Sequence, residues 1–413
     1  MRLNQYNQNM QIEGRSNCHL TYCTNIHPGE CWPDHYEQLK NHLPELKKRL
    51  SPEEPLGIGL RLAAEAAEEL LDDQKLQEFK DWMNEEGLYL FTINGFPYGS
   101  FHRSIVKDKV YAPDWGQSDR LDYTLNLIKI LSKLLPEHVD GGISTSPISY
   151  KYWDKSNDEE KILIEKACRQ LAEVAYQMHE IMVEYGKELH LDIEPEPDCL
   201  IENSDETIHF FNNHLWIIGR EYLVDKKGLN DYEAIEVIKN HIRVCYDTCH
   251  FAVEFEEPEI AIKKLTNAGI RIGKAQLSSA LKVNMGSDHE KRVKIGNKLK
   301  SFVESTYLHQ VVEKQKDGSI KQFRDLHEAL PQIQNEKAVE WRIHFHVPIF
   351  TGQMGELDST QDHLEKAFNP LFEYTDCKHF EIETYTWEVL PGHLKVDITD
   401  SIEREFRWVL DQL

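Results

Sequence analysis

Short apolar, β-rich segments alternate with long amphipathic ones along the chain, as in βα units wound around a parallel sheet. Strands are predicted at 19–25, 57–62, 88–94, 141–146, 190–196, 244–250, 271–278 and 380–386. Between them, 61–86 is rich in Ala, Leu and Glu and stops at Gly87. Residues 157–185 place Ile162, Ile164, Ala167, Leu171, Val174, Ala175 and Met178 at helical spacing, with Ser156 as N-cap and Gly186 as stop. A last helix starts at Thr399 or Asp400. Eight strands alternating with helices and closing on a helix predict an α/β fold, a (β/α)8 barrel built as a single domain over 1–413. A ninth apolar segment, 341–350, is surplus to this count. The polar stretch 283–340 reads as an insertion after the seventh strand, with a hairpin turning at Asp317-Gly318. It is either a flap over the barrel mouth or a surface embellishment.

Composition narrows the partners. The 413 residues are 40% hydrophobic and 29% charged, with a formal charge of −24 that repels phosphate backbones. A small-molecule metabolite is therefore expected rather than nucleic acid, and a homo-oligomer is compatible with the composition. No apolar run reaches the roughly 18–20 residues of a membrane span. The first sixteen residues lack the apolar core of a secretion signal, so a cytoplasmic location is expected. The eight cysteines are scattered without a CxxC pair, which points to reduced thiols rather than a zinc ribbon or disulfide framework.

Barrels carry their reactive groups at strand C-terminal ends. The fifth strand ends with Glu194 and Glu196, the sixth with Asp247 and His250, the seventh with Gln276 and Ser278, and the eighth with Glu381 and Glu383. Residues i and i+2 of a strand share a face, so each glutamate pair is placed to look inward. One carboxylate at a loop start is ordinarily solvated. Four consecutive strands ending in oxygen donors point instead to a divalent metal, because converging carboxylates repel one another. Oxygen ligands with one amide favour Mg or Mn, and added imidazoles shift the preference toward Mn, Co or Zn. Elsewhere, His19 and His27 flank the first strand, and Asn94 ends the third inside TINGFPYG. Tyr98, Phe101 and His102 either line a pocket or pack beneath that loop. Tyr385 and Trp387 follow Glu383 and either stack on a ligand ring or serve packing.

The order Glu, Asp-x-x-His, Gln, Glu on the last four strands resembles the xylose-isomerase-like barrels, which include sugar 3-epimerases, hydroxypyruvate isomerase and endonuclease IV. The resemblance covers roughly 17–282 and 370–413 and implies metal ligation by Glu194, Asp247, Gln276 and Glu383. The histidines of the HFH motif, His344 and His346, are either hydrogen-bonded within a strand or ligands. Endonuclease IV binds a further zinc through an Asp-x-His in the equivalent place, which makes His346 a candidate ligand. The stretches HLTYCTNIHPGECW, GIGLRL, FTINGFPYGSFH, DIEPEP, YDTCHFAVEFEEP, HFHVPIF and ETYTWEVLP together look like the EboE-type metabolite-traffic proteins, nearly end to end.

These resemblances imply a metal-dependent sugar-isomerase or epimerase-like protein acting on a small hydroxy-carbonyl metabolite. Glu194 and Glu383 would remove and return a proton, and His250 would orient a ligand or the substrate. His19, Asn94, Glu196, His344 and Trp387 complete the substrate candidates. In the epimerases an arginine soon after the third ligand holds the substrate, but here the sequence reads AQLSSALK. That departure keeps a non-catalytic metabolite-binding or trafficking protein in play. A phosphodiester hydrolase like endonuclease IV is the third reading, with the negative charge against it.

Overall fold

The computed structural model describes residues 18–413, so the secretion-signal reading of the first sixteen residues lies outside it. Seven strands come first: His19–Tyr22 (β1), Leu56–Arg61 (β2), Leu88–Asn94 (β3), Gly141–Thr145 (β4), Leu189–Ile193 (β5), Ile242–Asp247 (β6) and Ile272–Leu277 (β7). The chain then builds a second sheet from Ala280–Asn284 (β8), Val311–Gln315 (β9), Ile320–Phe323 (β10), Ala338–His346 (β11), Gln353–Met354 (β12) and Leu357–Ser359 (β13). It returns to the first sheet as His379–Ile382 (β14).

The first sheet runs β1-β14-β7-β6-β5-β4-β3-β2, every pair parallel. A parallel bridge from Cys23 to Gly59 joins its two edges, and Thr21 Oγ1 donates to the Gly57 carbonyl at 2.8 Å. The sheet is thus a (β/α)8 barrel, with all eight predicted strands in their places. At Gly59 a Cβ would lie 2.0 Å from Glu381 Oε1 and 2.7 Å from the Tyr22 carbonyl, so closure there requires glycine.

Period-two alternation sorts the strands into an apolar outside and a polar inside. Leu189, Leu191 and Ile193 join the main core, while His190 and Asp192 face the barrel interior. Lys274 on β7 reaches across to Ser144 Oγ (3.2 Å) on β4 and pairs with Glu381 on β14. TIM-barrel interiors are usually filled by branched apolar side chains; this one is filled by charge. The Lys274 Nζ–Glu381 Oε2 pair is 2.9 Å long with both side chains fully buried. Burial works against the lysine's charge, and Glu381 outweighs it, holding Lys274 above its ordinary value.

The helices follow their caps. Ser156 and Glu159 form a capping box on Asn157–Tyr185, and Gly186 ends it at φ 68°. The helix read across 61–86 is two, Ala64–Leu70 and Asp73–Glu86, because Asp72 accepts from the Gln74 and Lys75 amides and starts a new one. The last helix, Ile398–Gln412, is capped by Asp397 rather than Thr399 or Asp400: its carboxylate accepts from both their amides.

The second sheet runs β10-β9-β11-β8-β13-β12 and packs a core of its own that includes Leu281, Phe302, Trp341, Ile343 and Phe345. Its β9–β10 hairpin turns at Asp317-Gly318, with Gly318 at φ 84°. The surplus segment is its central strand β11, antiparallel to β8 and β9. Elements of this sheet begin before and end after residues 283–340. Trp341, Ile343 and Phe345 fill the sheet's core, and the alternate residues His344 and His346 turn toward the barrel.

Lys274→Met leaves Glu381 buried without its partner. The expected loss is about 3–5 kcal/mol in urea unfolding; a loss below about 1 kcal/mol would show that Glu381 is neutralised in another way. Glu405, on the last helix, accepts from Thr384 Oγ1 at 2.7 Å and the Ile349 amide at 3.2 Å, and burial pushes its carboxyl from 4.5 up to about 7. A raised folded-state value means that the neutral form's stability is full below about pH 4.5 and is lost as pH rises through about 7. Glu405→Gln should therefore gain on the parent by about 3 kcal/mol between pH 4 and pH 8, at about 1.4 kcal/mol per pH unit of displacement. A flat difference across that range refutes the assignment.

Candidate metal centre

Glu194 and Glu383 stand one residue beyond β5 and β14, and Asp247 ends β6. The strands stop earlier than predicted, since Thr248–Val253 is already helical with Asp247 as its N-cap. The consequence is useful: Asp247 and His250 lie three apart on one helical turn and face the same way. Carboxylate oxygens of Glu194, Asp247 and Glu383 lie within 4.8 Å of one another, all buried.

Two of the three carboxylates are held from behind. Glu383 Oε1 accepts from Asn25 Nδ2 (2.8 Å) and Asn94 Nδ2 (3.0 Å). Asp247 Oδ1 accepts from the Cys249 amide (2.7 Å), the His250 amide (3.0 Å) and Ser278 Oγ (2.6 Å). Glu194 Oε2 and Asp247 Oδ2 have no partner among the described residues. Burial, then Glu383 and Asp247, push the Glu194 carboxyl well up; burial, then Asp247 and Glu381, do the same to Glu383. Burial opposes ionisation of Asp247 too, but His250, His346 and the hydrogen bonds to Oδ1 hold it below the ordinary value. Orphaned oxygens on converging buried acids are what a divalent cation satisfies, so the donor set fits one. Gln276 is opposite Asp247 and Glu381 in register; its Oε1 accepts from Cys245 Sγ at 3.1 Å and its Nε2 has no partner among the described residues.

Histidines form the other wall. His250 Nδ1 donates to the Pro195 carbonyl at 2.9 Å, leaving Nε2 as an acceptor. His344 Nδ1 donates to Gln310 Oε1 at 2.9 Å, and the Gln310 amide is oriented by its Nε2 donating to the Pro197 carbonyl. The two free Nε2 atoms then face each other at 3.1 Å. Two lone pairs at that distance require a proton or a cation between them. Glu196 joins this pair within 4.8 Å, its Oε1 accepting from Tyr111 Oη at 2.8 Å. His346 Nδ1 donates to the Glu383 carbonyl (2.8 Å), its unpartnered Nε2 is buried, and it groups with Asp247 and His250. Burial lowers His346 to about 4, so it is a neutral imidazole at pH 7.

A cavity of about 50 Å³ stands before these groups, walled by Phe96, Phe101, Tyr111, Tyr307 and Tyr385. That volume has room for an ion and a water or two. His344 of β11, with Tyr307 and Leu308 from the segment that leads into β9, lines this wall, while the hairpin turn at 317–318 is not part of it.

The structure thus brings Glu194, Glu196, Asp247, His250, His344, His346 and Glu383 together. Asn94 is there as a donor to Glu383. His19 is not: it begins β1, and its Nδ1 pairs with Tyr89 Oη (2.8 Å) at the N-terminal end of the barrel. Trp387 packs between the two cores under Lys395 and does not line the cavity. His27 stacks on His42, and Tyr98 packs edge-on against Tyr123. Sequence reasoning missed Asn25, Tyr111 and Gln310. Asn25 could have been found, since it follows Thr21 and Cys23 on the inward parity of the first strand.

No protein-family model and no curated protein matches the chain. Among solved structures it is similar to a xylose isomerase-like TIM barrel protein from Mycobacterium smegmatis in complex with magnesium, at 10% identity, TM-score 0.48 and 96% coverage of each chain. It is also similar to the probable 3-DHS dehydratase of petrobactin synthesis from Bacillus anthracis, at 11% identity and TM-score 0.44, covering 95% of this chain and 98% of that one. A third is the IOLI protein with a binding zinc atom, at 12% identity and TM-score 0.45, covering 95% and 97%.

With Glu194 and Glu383 held up by burial, cation binding must displace protons. Adding Mn, Mg or Zn ions to metal-free protein in weakly buffered solution at pH 7 should release about one proton per ion bound. Binding without release would show both glutamates already ionised.

Proposed function

We propose that the chain is a divalent-metal-dependent isomerase or epimerase of small hydroxy-carbonyl metabolites, in the manner implied by its resemblance to the xylose-isomerase-like barrels, with a part in metabolite handling implied by its resemblance to the EboE-type proteins. One observation carries this: two buried glutamates with raised carboxyl values, Glu194 and Glu383, flank a buried aspartate held ionised. Glu194, Asp247 and Glu383 would hold the ion, with Gln276 and His346 beside them. The imidazoles nearby favour Mn, Co or Zn over Mg. A bound ion would polarise the substrate carbonyl as a Lewis acid.

The chain's own groups do the rest. Glu194 and Glu383 come from strands separated by β6 and β7, so a substrate between them meets a carboxyl on two sides. Carboxyls lifted toward neutrality accept and return a proton at carbon more readily than ordinary ones. Asn25 and Asn94 fix Glu383 Oε1, leaving Oε2 for the proton. The aromatic wall excludes water, which strengthens each of these interactions.

A second reading, a metabolite-binding protein without turnover, is favoured by the absence of a free cation in the wall. Among the described residues the lining cation is Lys107, and its Nζ is engaged by Asp325 and the Glu304 and Tyr307 carbonyls. Solvent-deuterium exchange into a panel of hydroxy-carbonyl compounds separates the two. The enzyme reading expects exchange with a metal-loaded preparation and a roughly 10²–10⁴-fold loss in Glu383→Gln. Tight ligand retention with no exchange under Mn, Mg, Co or Zn loading would favour the binding protein instead.

A further inference from the structure

The opposite end of the barrel carries a second cluster that the mouth does not use. Asp140 precedes β4, His190 is the second residue of β5, and His379 is the first of β14. All three therefore stand at N-terminal strand ends. One ligand atom from each lies within 4.8 Å of the others, and all three residues are buried.

Both imidazoles are anchored by one nitrogen and orphaned at the other. His190 Nδ1 rests on Asp192, at 2.8 Å from Oδ1 and 2.9 Å from Oδ2. His379 Nε2 donates to the Asp140 carbonyl at 3.1 Å. The remaining nitrogens, His190 Nε2 and His379 Nδ1, have no partner among the described residues, although both side chains are fully buried. A buried polar atom without a partner costs about 1–3 kcal/mol, so two side by side need a reason.

Gly142 lies against both rings. A Cβ there would lie 2.6 Å from His190 Cε1 and 2.7 Å from His379 Nδ1, so only glycine lets the two imidazoles approach each other at this place. A carboxylate or carbonyl behind each ring, fixing the tautomer and baring the other nitrogen, is the usual support of metal-binding histidines. Asp140 completes the set. Lys378 Nζ takes its Oδ2 at 3.2 Å, and its Oδ1 lies 3.6 Å from His379 Nε2.

We infer that Asp140, His190 and His379 bind a zinc ion at the N-terminal end of the barrel, with water as the fourth ligand. Two imidazoles and one carboxylate are a zinc donor set of ordinary kind. Four residue steps along and just beyond β5 lead from His190 to Glu194, about 13 Å at the rise of a strand, so this ion is distinct from any at the mouth. Its place on the face opposite the reactive one gives it a structural role: it clasps β5 to β14 across the two strands between them.

Anomalous diffraction at the zinc edge, from full-chain crystals grown with zinc, tests this without any variant. The expected peak lies about 2.0–2.1 Å from His190 Nε2 and His379 Nδ1. No peak there, with zinc present at the mouth, overturns the proposal. Zinc counted by elemental analysis gives a second reading. His379→Gln should lose one equivalent and Asp247→Asn should keep it, whereas a His379→Gln protein with the parent's zinc content counts against the site.

Discussion

A sealed barrel lined with acids must balance its own charge, and the rest of this molecule follows from that constraint. Water cannot screen the interior, so each layer is neutralised from within. In the middle layer Lys274 answers Glu381 at 2.9 Å. At the mouth no lysine or arginine pairs with Glu194, Asp247 or Glu383 among the described residues, and neutrality there falls to protons, to the neighbouring imidazoles or to a cation. Acids at the mouth are therefore left open to a proton or an ion where the middle layer is already paired. The difference between a structural layer and a chemical one is a single lysine.

The second sheet belongs to this balance. Its central strand alternates Trp341, Ile343 and Phe345 into its own core with His344 and His346 toward the barrel. One set of side chains holds the sheet together while the other completes the barrel's wall. His346 reads the backbone of Glu383 directly, through a 2.8 Å bond to its carbonyl. Packing of the sheet and geometry of the candidate metal centre thus share the same nine-residue strand.

Much of the fold was legible because barrel strands carry a period-two pattern between long helices. Their ends were not, since alternation runs on past the last ladder hydrogen bond: Glu194, Glu196 and Glu383 continue the pattern outside their strands. The helix at 61–86 hid a break because Asp72 sits among helix formers and caps by a side-chain bond that composition does not display. His19 illustrates a different limit. Its chemistry suits a site, but its place at the start of β1 puts it at the wrong end, and strand direction alone contained that information. Gln310 was beyond reach: it acts through an imidazole 34 residues away, from a stretch whose polarity looked like a surface.

One edge of β1 meets β14, so the barrel relies on contacts between segments far apart in sequence. His19 pairs with His379, and Asn25 grips a glutamate 358 residues later. The edge of β1 that meets β14 therefore stays open until residues 379–382 have been made, although its other edge can meet β2 early. Glu383 follows β14 by one residue and arrives with it. A nascent chain can consequently bury its outer helices against β2 through β7 before the three carboxylates of the candidate metal centre are brought together.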